Sequence, residues 1–161
     1  MNIFINKLPL LTRVLISALF LLSALAKLYP TPLYGITKVF EEGQLIPMGF
    51  SEGLAPFISR IIIGFEFFIA FAILQHNYIK KLVVPSTILL LLIFSIDLSI
   101  KIFSGDTENC GCFGQLIPMT PLEALIKNIF TLLLLFYIYK NVDDKKGSNF
   151  LLLLSSYLLI L

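Results

Sequence analysis

Four long apolar stretches constrain the fold of this chain more than any other feature of its sequence. They run from Leu10 to Leu28, from Leu54 to Leu74, from Leu82 to Phe103 and from Pro121 to Tyr139. A helix that crosses the hydrocarbon layer needs about 20 mostly apolar residues, and lipid offers its backbone no other hydrogen-bond partners. The sequence therefore predicts an all-α integral membrane protein, a bundle of four transmembrane helices.

The composition supports lipid as the solvent. The 161 residues are 58% hydrophobic and 14% charged, with a mean hydropathy of +0.94, whereas a soluble domain is about half apolar and a quarter charged. So short a chain cannot hide that much apolar side chain in one water-surrounded core. A net charge of +2 without a basic stripe argues against a nucleic-acid partner. Two cysteines and one histidine are too few for a metal site of three or four such ligands.

Both ends of the chain need separate interpretation. The four helices predict a domain over residues 1–146, followed by an apolar tail over residues 147–161. The run from Phe150 to Leu161 is too short to cross a bilayer, so it either lies in the interface or begins a further helix of a longer protein. We favour the second interpretation. The first stretch, with Ala24-Leu25-Ala26 near its end, also resembles a signal peptide, but the charge pattern favours a retained helix.

The charges of the loops predict the orientation of the bundle. One side carries most of the basic residues outside the membrane: Lys7, Arg13, Lys80, Lys81, Lys140, Lys145 and Lys146. The other side holds the acidic residues Glu41, Glu42, Glu52, Asp106, Glu108 and Glu123. By the positive-inside rule the N-terminus is cytoplasmic, and the loops over residues 29–53 and 104–120 face outward. We expect a multi-pass protein of the bacterial inner membrane.

A hexapeptide occurs twice at corresponding positions. Gly43 to Met48 and Gly114 to Met119 have the same sequence, Gly-Gln-Leu-Ile-Pro-Met, and each copy precedes a helix that runs inward. Chance is the simplest explanation in a chain rich in Leu and Ile, but Gly, Gln, Pro and Met recur in order. The repeat favours two helix hairpins of the same topology, related by duplication.

Local signals predict two further features near the outer side. Thr120 and Glu123 form the pattern of a capping box, so the fourth helix should begin directly after the cysteine loop. In the first outer loop, helical spacing suggests a short interfacial helix with an apolar face of Leu33, Ile36 and Phe40.

The sharpest chemical motif is the segment from Cys110 to Gly114, Cys-Gly-Cys-Phe-Gly. Its predicted place on the outer side permits a disulfide, and a disulfide between cysteines one residue apart closes a small, strained ring that exchanges readily. A structural bridge or two idle thiols are equally compatible with so short a motif. Copper(I) binding by two thiolates is a further alternative, with Met119 the nearest other soft ligand.

Several charges are predicted to surround this motif at the outer ends of the helices. The cations Lys27, Arg60, Lys101 and Lys127 face a single anion, Asp97. A basic vestibule of this kind would favour the thiolate form of a nearby cysteine. Alternatively, Lys27 and Lys101 extend to the headgroups, as Arg13 can at the other end of the first helix. Asp97 and Lys101 are also spaced to pair on one helix face.

Glu66 lies midway through the second predicted helix, in an otherwise apolar segment. A carboxylate there costs about 2.5 kcal/mol or more to insert, so it must be protonated, paired or exposed to a polar cavity. Intramembrane ionisable groups often serve a function, whereas a structural hydrogen bond between helices, with Gly64 allowing close packing, is the alternative. We favour a functional role.

Together these residues resemble the DoxX-like superfamily of four-helix membrane proteins, and within it the methylamine utilisation protein MauE family. The resemblance covers about residues 10 to 140. It rests on features in helices one, two and four and in the loop between: Arg13, Phe20, Ser23, Lys27, Gly64-Phe65-Glu66, Cys110-Gly-Cys-Phe-Gly and Lys127-Asn128. Lys127 stands where the family pattern has arginine, which argues against bidentate anion binding there.

The resemblance implies a role in the maturation of a disulfide-rich periplasmic protein, alongside a thioredoxin-like partner. Our first hypothesis is accordingly a membrane thiol–disulfide relay through Cys110 and Cys112, with Glu66 moving a proton and a membrane quinone as one candidate electron carrier. The second is a non-enzymatic scaffold or assembly factor in which the cysteines form a structural clasp. The third is a quinone-reactive or solute-handling subunit built around Glu66, Arg60 and Lys127.

Overall fold

A computed structural model of the protein describes residues 2–29, 38–75 and 78–142, with side chains from residue 8 onward in the first helix. Its helices are α1 (Asn2–Leu28), α2 (Lys38–Phe40), α3 (Ala55–Ala72), α4 (Val84–Phe103) and α5 (Pro121–Asn141). A π-helical turn, Glu41–Leu45, continues α2, and a second one, Ile79–Val83, leads into α4. The described residues contain helices, turns and irregular segments but no strand.

The four predicted membrane spans are confirmed. Helical segments long and apolar enough to cross a bilayer cover Leu8–Leu28, Ala55–Ala72, Ile79–Phe103 and Pro121–Asn141. Many of their large apolar side chains face outward, including Ile100, Phe103 and Leu133, which are each more than 60% exposed. In water such a surface would be unfavourable, whereas lipid tails solvate it. The chain is therefore a multi-pass membrane protein.

The helices pair as the two predicted hairpins. Helix α1 packs against α3, α4 packs against α5, and α1 also contacts α5. The two hexapeptide copies, however, adopt different conformations. The first copy starts inside the π-helical turn and buries Gln44, whereas the second starts with Gly114 at φ +54° and leaves Gln115 exposed. Duplication of the hairpins stays a prediction, but equivalent surroundings for the two glutamines are excluded.

The start of α5 is built as predicted. The hydroxyl of Thr120 accepts from the backbone N–H of Glu123 at 3.4 Å, and the Glu123 carboxylate accepts from the Thr120 N–H at 2.9 Å. This capping box ends the cysteine loop at a defined point.

The short helix of the first outer loop is partly different from the prediction. Phe40 is fully buried against Leu45, Ala55 and Phe94 rather than facing an interface, while Leu33 and Ile36 lie outside the described residues.

Arg13 corrects another prediction, because its side chain does not extend to the headgroups. It is 2% exposed and donates to the backbone carbonyls of Ile73 and Leu74, at the C-terminal end of α3. The last carbonyls of a helix have no partner within the helix, and a buried guanidinium supplies several donors. Arg13 therefore joins α1 to α3 at the side opposite the cysteine loop.

The apolar tail over residues 147–161 lies outside the described residues, so the domain boundary stays a prediction.

Candidate functional site

The cysteine loop is held in a tight turn by Asn109. The Asn109 carboxamide accepts from the N–H groups of Gly111 (3.1 Å) and Met119 (3.2 Å), and donates to the carbonyl of Gly114 (3.1 Å). The N–H of Cys110 donates to the carbonyl of Met119 at 2.9 Å. One side chain thus ties both ends of the loop together, so the two cysteines are held in place before any chemistry occurs.

Two glycines let this loop approach neighbouring backbone. Gly111 has φ +73°, and a Cβ added there would come within 2.5 Å of the carbonyl oxygen of Val39. Gly114 has φ +54°, and its added Cβ would come within 2.5 Å of the carbonyl oxygen of Ala26. The loop is therefore packed between the end of α1 and the start of α2, where only glycine fits.

We expect Gly111→Ala to destabilise the protein by about 2 to 5 kcal/mol, because left-handed backbone strain adds to overpacking against fixed backbone atoms. Gly105→Ala is the matched control. Gly105 has a similar φ of +79° with nothing within 4 Å of an added Cβ. The stability lost in Gly105→Ala should therefore come from backbone strain alone. Thermal unfolding in detergent measures both variants. Equal losses of stability in the two variants would show that the loop does not pack closely against the backbone of α2.

Cys110 and Cys112 are free thiols, 2% and 7% exposed. They pack in an apolar cluster with Ala26, Leu98, Phe113 and Ala124. The Cys110 thiol hydrogen-bonds to Cys112, which raises the pKa of Cys110 and lowers that of Cys112 to about 7. Burial opposes the lowering at Cys112, while the charges of Lys127 and Lys27 support it. Cys112 is therefore the more acidic thiol of the pair and the one that ionises near neutral pH, with Cys110 as its donor.

Beneath Cys112 lies a buried ion pair between α1 and α3. The Lys27 ammonium donates to both carboxylate oxygens of Glu66, at 2.8 and 2.9 Å, and to the hydroxyl of Ser23 at 2.7 Å. The Ser23 hydroxyl lies 3.0 Å from Glu66 Oε1 and 3.1 Å from the carbonyl oxygen of Cys112, so it can donate to either. Of the three states considered for Glu66, the structure has it paired and in the wall of a partly polar cavity, and Lys27 faces inward rather than toward the headgroups.

These groups surround a cavity of about 40 Å³, room for a few water molecules. Its walls are partly apolar, with Leu19, Phe20, Leu90, Leu91 and Phe94, and partly polar, with Ser23, Lys27, Gln44, Glu66, Cys112, Lys127, Asn128 and Thr131. The Lys127 ammonium also lies 4.8 Å from the ring centroid of Phe113, within cation–π range. Two cations and one carboxylate line the described cavity, so a thiolate at Cys112 balances their charge.

Two members of the predicted basic vestibule lie elsewhere. Arg60 is exposed and does not line the cavity. It is six residues before Glu66 on α3, about 240° around the helix, so the two side chains face different sides. Lys101 pairs with Asp97 at 3.4 Å and donates to the carbonyl of Gly43. The vestibule therefore reduces to Lys27 and Lys127, and Asp97 and Lys101 neutralise each other, one of the alternatives considered.

Two residues of the first outer loop reach the cavity, although the sequence did not predict them to lie there. The ring of Phe40 lies 4.9 Å from the Lys27 ammonium, and the Gln44 amide oxygen lies 3.7 Å from Cys112 Sγ. Both belong to the first outer loop, far from Cys112 along the chain. The recurrence of glutamine in the hexapeptide was a signal, but its second copy, Gln115, does not reach the cavity.

The fold and the site define a class: a four-helix membrane protein with a buried cysteine pair above a charged intramembrane cavity. Residues 5–140 match the pattern of the methylamine utilisation protein MauE family. The chain belongs to this family. It is also 51% identical over 145 residues to Protein TlpB of Flavobacterium psychrophilum, an alignment that covers 87% of this chain. The aligned part is 39% of the length of that relative. No solved structure matches the chain.

Proposed function

We propose that this protein is a membrane thiol–disulfide relay that exchanges electrons with a thioredoxin-like protein on the outer side. One observation carries the proposal: Cys112 lies next to a second thiol, Cys110, and lines a cavity that the side chains of Lys27 and Lys127 also line, so that its pKa is lowered to about 7. A thiolate with a second thiol in hydrogen-bond range is what disulfide exchange requires. Membership of the MauE family and the identity to Protein TlpB support a role in membrane-bound disulfide redox or maturation processes.

The exchange balances between the two proteins. The Cys112 thiolate attacks one sulfur of the partner's disulfide, which forms a mixed disulfide and releases one partner thiolate. Cys110 gives up its proton to that thiolate and attacks Cys112 Sγ, which forms the Cys110–Cys112 disulfide and releases the second partner sulfur. The partner gains two electrons and this protein loses two. The reverse sequence oxidises the partner, and a membrane quinone stays our candidate for resetting the pair, although no step above depends on it.

Access to the sulfurs requires movement of the loop, because both are almost fully buried. The loop contacts the start of α2 and the end of α1, so a partner must displace it or bind as it opens. Burial also slows the reaction of the pair with small oxidants and thiols, which favours a partner that binds as the loop opens.

A structural clasp is the second candidate function, favoured by the packing of both cysteines in an apolar cluster. It predicts that loss of either cysteine lowers the amount of folded protein in the membrane. It also predicts that the parent protein has no disulfide-exchange activity. The third hypothesis, a quinone-reactive or solute-handling subunit, now rests on Glu66 and Lys127, since Arg60 lies outside the cavity.

Orientation is tested by labelling intact cells with a small, membrane-impermeant thiosulfonate. We expect Cys110 and Cys112 to be labelled after mild reduction, because reduction keeps both sulfurs as the free thiols of the structure and the loop faces outward. Two variants without these cysteines serve as controls: Gln115→Cys in the same loop should be labelled, and Lys81→Cys on the predicted cytoplasmic side should not, although both parent side chains are exposed. The reverse result for the two controls would overturn the orientation and the periplasmic partner.

A further inference from the structure

The side-chain amide of Gln44, in the wall of the cavity, has a donor without a hydrogen-bond partner in the described part of the chain. Gln44 is 1% exposed, its Oε1 lies 3.7 Å from Cys112 Sγ, and its Nε2 has no hydrogen-bond partner among the described residues. A buried amide N–H without an acceptor costs free energy, so such a group in a folded protein calls for an explanation. The free donor lies in the wall of the cavity, beside the sulfur.

The orientation of the amide depends on the protonation state of Cys112. A neutral thiol donates a hydrogen bond, and Oε1 is then the correct neighbour. A thiolate only accepts, so Oε1 at the same distance would be repelled by it. A half-turn about the last side-chain bond exchanges Oε1 and Nε2 without moving other atoms. That turn gives the unpartnered N–H groups an acceptor and gives the thiolate a donor.

We propose that Gln44 is a positioning residue for Cys112, whose amide turns to donate from Nε2 to the sulfur whenever Cys112 is a thiolate. The inference rests on the proposed function, in which Cys112 is the attacking sulfur. It places the first outer loop in the site, because Gln44 is the only described residue of the segment 38–50 with a polar side chain that lines the cavity. A movement of that segment would therefore alter the reactivity of Cys112 as well as its exposure.

Other groups also face Cys112 and set the background against which Gln44 acts. Lys27 on α1 and Lys127 on α5 are cations, Glu66 on α3 is an anion, and Cys110 donates from the same loop. Helix α4 contributes only the apolar side chains Leu90, Leu91 and Phe94 to the cavity wall, since its charged residues Asp97 and Lys101 pair with each other. None of these groups forms a hydrogen bond with the Nε2 of Gln44.

The test is the pH profile of Cys112 alkylation, read by mass spectrometry on the full chain in detergent with iodoacetamide. Gln44→Met removes the donor at similar size, and we expect the midpoint of the profile to rise by about one to two pH units. Gln44→Glu, which keeps the shape but places a carboxylate beside the sulfur, should raise it at least as far. Gln115→Met, the same change in the exposed copy of the hexapeptide, should leave the midpoint unchanged.

The outcomes separate this inference from the function on which it rests. A Gln44→Met profile that overlays the parent profile, in protein that unfolds at the same temperature, would overturn the role of Gln44 and leave the relay standing. A parent midpoint near that of an ordinary cysteine, about 8.5, would overturn both. If Gln44→Met fails to fold, Gln44→Leu, which also removes the donor and adds no charge, decides in the same way.

Discussion

Replacing Cys112 with serine should reduce disulfide exchange to background. Serine keeps the size of the side chain and its place in the apolar cluster, but a hydroxyl does not ionise at neutral pH and cannot attack a disulfide. Cys110→Ser should behave differently, because Cys112 can still attack while the second sulfur that resolves the mixed disulfide is missing. The serine hydroxyl can also replace the Cys110 thiol as a donor to Cys112.

The measurement is mass spectrometry after incubation with oxidised glutathione. We expect a stable glutathione adduct on Cys112 in the Cys110→Ser variant and none in Cys112→Ser. The two substitutions are chemically the same and lie one residue apart, so each controls for the other's effect on packing. An adduct on Cys110 instead would reverse the assignment of the two sulfurs. Equal loss of membrane-inserted protein in both variants, without any adduct, would favour the structural clasp.

The parts of this protein that follow from local sequence were predictable. The four spans follow from run length and hydropathy, and the start of α5 follows from a capping box of two residues three apart. The presence of Glu66 in an apolar helix was enough to predict a partner or a cavity, because an isolated carboxylate is costly there. Each of these inferences depends on residues within one helix or one turn.

The details of the site depend on contacts between distant segments, and here the sequence was less informative. Lys27 and Glu66 are 39 positions apart, and Gln44 and Cys112 are 68 apart. Periodicity cannot tell which face of one helix meets which face of the next. Arg60 was therefore grouped with the vestibule, and Gln44 was overlooked. The family resemblance was a better indicator, since Phe20, Ser23, Lys27, Glu66, Cys112, Lys127 and Asn128 all line one cavity.

Breaking the ion pair between Lys27 and Glu66 should strongly destabilise the bundle. Both side chains are at most 6% exposed, and removing one partner of a buried pair typically costs about 3 to 5 kcal/mol because the other charge is left uncompensated. We therefore expect losses of this size for Lys27→Met and for Glu66→Gln alone. The double variant should regain much of the loss. Arg60→Met, which removes an exposed cation from α3, should change stability by less than about 0.5 kcal/mol.

The same variants should move the reactivity of Cys112 in opposite directions, which distinguishes an electrostatic role from a merely structural one. The charge of Lys27 lowers the pKa of Cys112 and that of Glu66 raises it. The alkylation profile should therefore shift to higher pH in Lys27→Met and to lower pH in Glu66→Gln, and return toward the parent in the double variant. Loss of stability without these opposite shifts would show that the pair only joins α1 to α3. Opposite shifts would show that the pair also sets the charge of the cavity on which the thiolate depends.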